Sequence, residues 1–189
     1  MNPGDLSYAL RLLASGQPLE VAWKEAGFSS RKHLAEELYS LAAKLAKKHL
    51  KLIVYTDGAS VGNPGEAGCG ALIMDESGQV LLEDYEYLGR TTNNVAEYRG
   101  AILGLRRAHE LGASQVELRL DSSLLANQIK GRYKVKSRSL ASLYQSLMEI
   151  VKHFDSFKVT LIRSSENRQA DRLANLAIST RKRGEPGVG

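Results

Sequence analysis

From Leu6 onward the apolar positions recur at helical spacing. Leu6, Leu10 and Leu13 are followed by Leu34, Leu38, Leu41 and Leu45, with breaks at Gly16-Gln17-Pro18 and at Gly27. Over residues 5–48 this pattern predicts three short helices. At Leu50 the rhythm changes: Lys51-Leu-Ile-Val-Tyr-Thr-Asp57 is rich in β-branched and aromatic residues, stops at a glycine, and reads as a strand. Gly68–Met74 and Val80–Leu88 read as two more strands, joined by a hairpin turn through Asp75-Glu76-Ser77-Gly78. Next come a helix over Asn94–Leu111, a strand over Val116–Leu120, helices near 122–130 and 139–153, a strand over Lys158–Ile162 and a last helix near 167–180.

Alternation of strand and helix in the second half implies right-handed crossovers and parallel pairing. The expected architecture is α/β. A mixed five-stranded sheet, its first three strands antiparallel and its later strands parallel, is flanked by helices and preceded by a small all-α domain. The expected division is 1–49 for the helical appendage, 50–180 for the α/β domain and 181–189 for a flexible tail containing Arg181-Lys-Arg183.

Composition narrows the class. With 43% hydrophobic and 25% charged residues the chain is expected to fold, and a net charge of +5 leans towards an acidic partner such as nucleic acid. Cys69 is the single cysteine, so neither an internal disulfide nor a thiolate zinc cluster is expected. The N-terminus alternates apolar with charged residues, without a signal-type core or a membrane span, so the expected location is the cytoplasm, with no membrane partner.

Four carboxylates carry the candidate chemistry. Asp57 and Asp121 close two of the expected strands, and ligand sites in open α/β sheets form beyond the carboxyl ends of strands. Glu97 opens the helix after strand three, and Asp171 lies near the start of the last helix. Four acids on one rim repel unless divalent cations intervene, and hard oxygen donors suit magnesium or manganese. Singly, each has a plainer reading. Asp57-Gly58 fits a turn, Asn94-Val95-Ala96-Glu97 a capping pattern, Asp121 a cap for the helix at Ser122, and Asp171 a solvated helix charge.

Asp57-Gly-Ala-Ser-Val-Gly-Asn-Pro-Gly65, Thr91-Thr-Asn-Asn-Val-Ala-Glu-Tyr98, Leu120-Asp-Ser-Ser123 and Asn167-Arg-Gln-Ala-Asp-Arg-Leu-Ala-Asn175 together resemble the successive motifs of type 1 ribonuclease H. The likeness covers about residues 51–180. It implies an endonuclease that hydrolyses the RNA strand of RNA–DNA hybrids and leaves 5′-phosphate and 3′-hydroxyl ends. Asp57, Glu97, Asp121 and Asp171 would bind two magnesium ions, with manganese as a substitute, Asp57 bridging both ions. Gly58, Asn63, Asn93, Asn94 and Gln128 match positions that contact substrate in the family. The amides suit recognition of a 2′-hydroxyl, although Asn63 also fits loop support and Asn93 and Asn94 fit helix caps.

Two departures stand out. Many relatives carry a histidine in the loop before the last aspartate, where this chain reads Arg163-Ser-Ser-Glu-Asn-Arg-Gln169; Glu166 is a candidate substitute. His33, His49, His109 and His153 lie elsewhere and read as ordinary surface or core residues. In place of a long basic protrusion stands Lys130-Gly-Arg-Tyr-Lys-Val-Lys-Ser-Arg138, as in the short archaeal-like and Gram-positive-like branch. It has five cations and no acid, and Lys134 and Lys136 are the expected phosphate contacts.

Residues 18–41 resemble a helix-turn-helix loosely, since Trp23 occupies the place of the usual small residue before Gly27. Extra affinity for double-stranded RNA or DNA through residues 1–48 is the leading expectation for that segment, beside protein–protein contact and packing support. For the whole chain two alternatives stay open: the same fold cutting double-stranded RNA as well, and a nucleic-acid-binding regulator whose ribonuclease-like module does not cut.

Overall fold

The computed structural model describes residues 4–48, 50–181 and 187–188, with the side chains of 43–48 and 187–188 outside that description. The chain divides into two compact units, Met1–Lys48 and His49–Gly189.

The first unit holds α1 (Leu6–Ala14), α2 (Leu19–Glu25) and α3 (Arg31–Lys48). Asp5 caps α1 by accepting from the Tyr8 N–H at 3.0 Å, and Gly27, at φ +77°, makes the turn out of α2. Ala9, Ala22, Ala26, Phe28 and Leu34 form its buried centre, mostly small residues that let three helices approach closely. At 18 residues α3 is longer than the short helix expected.

The second unit is built on β1 (Lys51–Gly62), β2 (Gly65–Met74), β3 (Val80–Thr91), α4 (Asn93–Glu110), β4 (Gln115–Leu120), α5 (Ser123–Ile129), α6 (Arg138–Val151), β5 (Ser156–Leu161), α7 (Arg168–Thr180) and β6 (Gly187–Val188). The sheet order is β5-β4-β1-β2-β3-β6. β1, β2 and β3 pair antiparallel, whereas β1, β4 and β5 pair parallel, which is the mixed five-stranded sheet the alternation predicts. Beyond it, the two-residue β6 pairs with Leu82 and Glu83 of β3, while residues 182–186 and 189 of the expected tail lie outside the described residues. The expected hairpin turn is held by Asp75, whose Oδ1 accepts from the N–H groups of Ser77 and Gln79 at 2.8 and 2.9 Å.

One face of the sheet buries Leu52, Val54, Leu118 and Leu120 against Tyr98, Ala101, Leu105 and Ala108 of α4 and Leu140 and Leu147 of α6. Burying each such leucine stabilises the unit by about 1.5–3 kcal/mol. The other face carries α7, and here β2 has glycines for a packing reason. A Cβ on Gly68 or Gly70 would stand 2.5–2.7 Å from Leu173, Ala174 or Ala177, so only bare backbone admits the helix at this depth. The charged pair Arg107 Nε and Asp84 Oδ2, 2.7 Å apart with Asp84 buried, ties α4 to β3.

The strand expected to stop at Asp57 continues to Gly62 through its antiparallel partner β2, since only the parallel ladder with β4 ends early, at Tyr55 opposite Arg119.

Candidate active site

Two residues past that last parallel pair stand Asp57 and Asp121, at equal depth beyond the end of the parallel ladder between β1 and β4. Asp121 follows directly on β4. Gly104 of α4 abuts the side chains of Val54 and Thr56, so alternation along β1 sends Asp57 to the opposite face, where Asp171 enters from the first turn of α7. Glu97 comes from the α4 side. The rim thus collects acids from both faces of the sheet.

Carboxylate oxygens of Asp57, Glu97 and Asp121 lie within 4.8 Å of one another. Asp171 lines the same cavity of about 470 Å³, together with Gly58, Ala59, Ser60, Asn93, Ser164 and Asn175. Asp57 and Glu97 are each only 8% exposed. Among the described residues no lysine or arginine pairs with any of the four acids. The electrostatic result is direct: burial, then the neighbouring Asp121 charge, pushes Asp57 up to about 7 against the Gly58 N–H, which pulls it down. Burial, followed by the charges of Asp57 and Asp121, raises Glu97 to about 9. A partly buried knot of oxygen donors with no cationic side chain fits a hard divalent cation, which would relieve both burdens at once.

Local structure settles three of the four plainer readings, those of Glu97, Asp121 and Asp57. The cap of α4 is Thr92, accepting from the Val95 N–H at 3.4 Å, so Glu97 lies beyond the first turn and closes no capping box, and Asn93 and Asn94 are helical residues rather than caps. Ser122 caps α5 through Leu125 N–H at 3.4 Å, which leaves Asp121 free of that task. Asp57 sits in a strand, its Oδ1 accepting from Gly58 N–H at 2.8 Å. Asp171 is solvent-exposed, and Asn175 Nδ2 donates to its Oδ1 at 2.9 Å. Asn167 Nδ2 donates both to Asp121 Oδ1 and to the Thr56 carbonyl, each at 3.0 Å.

The expected substrate contacts scatter. Gly58 and Asn93 line the acidic cavity. Asn63 Oδ1 accepts from Asn93 N–H at 3.2 Å and links the loop after β1 to the start of α4, with Asn94 exposed beside it. Gln128 is 4% exposed and its Oε1 accepts from the Tyr98 hydroxyl at 2.8 Å, so the structure turns this amide into the core rather than towards a ligand. Lys134 and Lys136 are exposed on the segment between α5 and α6, outside the cavity. Glu166 is likewise placed elsewhere. Its Oε2 accepts from Arg163 N–H at 2.9 Å, and it borders a different hollow with Tyr55 and Met74, whereas Ser164 of the same loop reaches the acidic cavity. His109 and His153 stack on each other at 4.8 Å on the surface, His33 is exposed beside Ser29, and His49 lies outside the described residues. Ser60, Ser164, Asn167 and Asn175 are the site residues that sequence reasoning missed, although Ser60, Asn167 and Asn175 stand inside the recognised motifs and Asn175 lies at i+4 from Asp171.

A sheet of this order, with four acids gathered where the parallel ladder between β1 and β4 ends, defines the ribonuclease H-like class of fold. The chain belongs to the type 1 ribonuclease H family: a family model described as reverse transcriptase-like matches residues 55–177, and the ribonuclease H of Prosthecochloris aestuarii is 36% identical over 147 residues, covering 70% of this chain and 98% of that protein. A bifunctional protein of Mycobacterium tuberculosis is 42% identical over 130 residues, covering 68% of this chain; the chain spans 36% of the length of that relative. Among solved structures, an RNase H1 in complex with an RNA/DNA hybrid superposes with a TM-score of 0.66 at 38% identity, covering 69% of this chain and 98% of that one.

Proposed function

We propose that residues 50–180 hydrolyse the RNA strand of RNA–DNA hybrids, leaving 5′-phosphate and 3′-hydroxyl ends. The observation that carries this reading is the convergence of Asp57, Glu97 and Asp121 oxygens within 4.8 Å, with Asp171 on the same cavity. The hybrid-bound relative supports the substrate class. Asp57, Glu97, Asp121 and Asp171 hold the metal, magnesium by donor chemistry with manganese in its place when supplied, and two ions by family resemblance. Held by those four carboxylates, divalent cations would supply positive charge against the scissile phosphate and would lower the barrier to hydrolysis by water.

The chain's own groups prepare that site. Gly58 N–H fixes Asp57, and Asn175 fixes Asp171. Asn93 and Ser60, whose Oγ and Asn93 Oδ1 are 3.5 Å apart, present polar groups at the mouth for a 2′-hydroxyl. Lys134 and Lys136 meet backbone phosphates further out. For residues 1–48 we favour added nucleic-acid affinity, supported by exposed Arg31, Lys32 and His33 at the start of α3.

The test incubates purified protein with matched hybrid, double-stranded RNA, single-stranded RNA and double-stranded DNA, in magnesium, manganese or EDTA, beside Asp121→Asn. Cutting confined to the RNA of the hybrid, and lost with EDTA and in the variant, is expected. Cutting of double-stranded RNA as well widens the substrate class. Tight binding with no cutting by folded, metal-loaded protein overturns the nuclease reading in favour of a binding module.

A further inference from the structure

Three chain segments meet at Asn167, and its side chain is committed to them in a lopsided way. Nδ2 donates to the Thr56 carbonyl of β1 and to Asp121 Oδ1 beyond β4, each at 3.0 Å. Its backbone carbonyl accepts from the Asp171 N–H at 3.0 Å, in the first turn of α7. Asn167 is 1% exposed, and its Oδ1 makes no hydrogen bond to the described residues. A buried amide that leaves its acceptor without a protein partner carries a free-energy cost. Turning the amide over would not remove that cost, because it would set Oδ1 against two acceptors. The orientation is therefore dictated by the donor end, and the donor end serves an acid of the site.

We infer that Asn167 is the positioning residue that holds Asp121 for cation binding. This rests on the ribonuclease reading. One NH₂ group spans β1 and the Asp121 carboxylate and so fixes the gap between the strand carrying Asp57 and the acid at the end of β4. The same residue's carbonyl sets the start of α7 and with it the place of Asp171. Asp121 lacks the adjacent N–H donation that Asp57 receives from Gly58, and its described hydrogen bond is the one from Asn167. Outer partners of this kind orient metal ligands, and their loss lowers metal affinity or activity by about 10–100-fold.

The test uses the full chain with Asn167→Leu and Asn167→Ala, each read by magnesium calorimetry, thermal unfolding and hybrid cleavage. Leucine keeps the branched shape with somewhat more bulk and removes the donor, while alanine removes both. If the residue served packing alone, Asn167→Leu would bind magnesium as the parent does. The expected result is a magnesium affinity lowered about 10–100-fold in both variants, with kcat falling and KM for hybrid unchanged. Folded variants with parental magnesium affinity and kcat overturn the inference, as does a loss of thermal stability alone. Should neither variant fold, the Asn167 side-chain NH₂ resonances of the parent decide: slow solvent exchange and a shift during magnesium titration are expected, and resonances indifferent to magnesium overturn it. Calorimetry needs no substrate, so a parent that binds magnesium but cuts no hybrid would defeat the nuclease reading and leave this one standing.

Discussion

Gly58 and Glu97 lie back to back: a Cβ placed on Gly58 would stand 2.2 Å from the Glu97 backbone nitrogen and 2.3 Å from the Ala96 carbonyl carbon. Backbone cannot move aside as a flexible side chain does, so α4 must retreat if any side chain is added. Gly100 makes a second close approach, its notional Cβ 2.7 Å from the Asp57 carbonyl oxygen. These two glycines set the distance between the strand that carries Asp57 and the helix that carries Glu97. Gly58→Ala is expected to cost about 1–3 kcal/mol by overpacking and to weaken magnesium binding as Glu97 withdraws. Unchanged thermal stability and magnesium affinity in that variant would show that the helix position does not depend on the bare backbone.

Helical periodicity marked the helices and β-branched or apolar runs marked the five main strands, with β2, buried along almost its whole length, readable as an apolar run instead of an alternation. Asp57, Glu97, Asp121 and Asp171 were readable because each belongs to a recognisable motif on a definite element. The continuation of β1 past Asp57 was not readable. Its antiparallel pairing with β2 runs on to Gly62 through small residues whose pattern announces no strand. Nor was the fate of Gln128, since burial of an amide depends on a hydroxyl 30 positions away, on Tyr98. The partner of Asp121, Asn167, lies in a motif but 46 positions along the chain, a distance that spacing alone does not reveal.

Gln128→Ala separates a core role from a substrate role. Its Oε1 is the acceptor for the buried Tyr98 hydroxyl, and removing it strands that donor at a cost of about 1–3 kcal/mol. Thermal unfolding should show the loss, whereas KM for hybrid at a temperature well below the transition should stay within twofold, roughly the scatter expected for a site without substrate contact. A large rise in KM with stability intact would instead restore Gln128 as a contact to nucleic acid.

Lys134 and Lys136 give a prediction in salt. Both are exposed on a segment with Lys130, Arg132 and Arg138 and no acid. If each meets a phosphate, replacing both by alanine lowers the slope of log affinity against log salt concentration by about 2, roughly one per charge. KM should rise and kcat should hold, because no reacting group is touched. Hybrid binding measured from low to moderate salt checks this, and a slope equal to the parent's would place these lysines in solvent only.

Protonation of the acidic rim makes metal binding and stability depend on pH in a definite sense. In the metal-free chain Asp57 is raised to about 7 and Glu97 to about 9, both above the ordinary carboxylate range, so the folded state holds protons that the unfolded state has released. The stability this confers is fully present below the ordinary carboxylate range and is lost as pH rises through those two values. In EDTA the unfolding temperature should therefore fall between pH 5 and pH 9, while magnesium, which needs the carboxylates ionised, should protect most at the alkaline end. At pH 7 the raised acids still hold protons in the metal-free chain, so magnesium binding should expel between about one and two protons, the number rising as pH falls towards 5.5. Calorimetry in buffers of different ionisation enthalpy counts those protons directly. A binding heat independent of buffer at pH 7 would mean that the rim is already ionised before the cation arrives, and that neither burial nor crowding of the acids carries the electrostatic cost assigned to it.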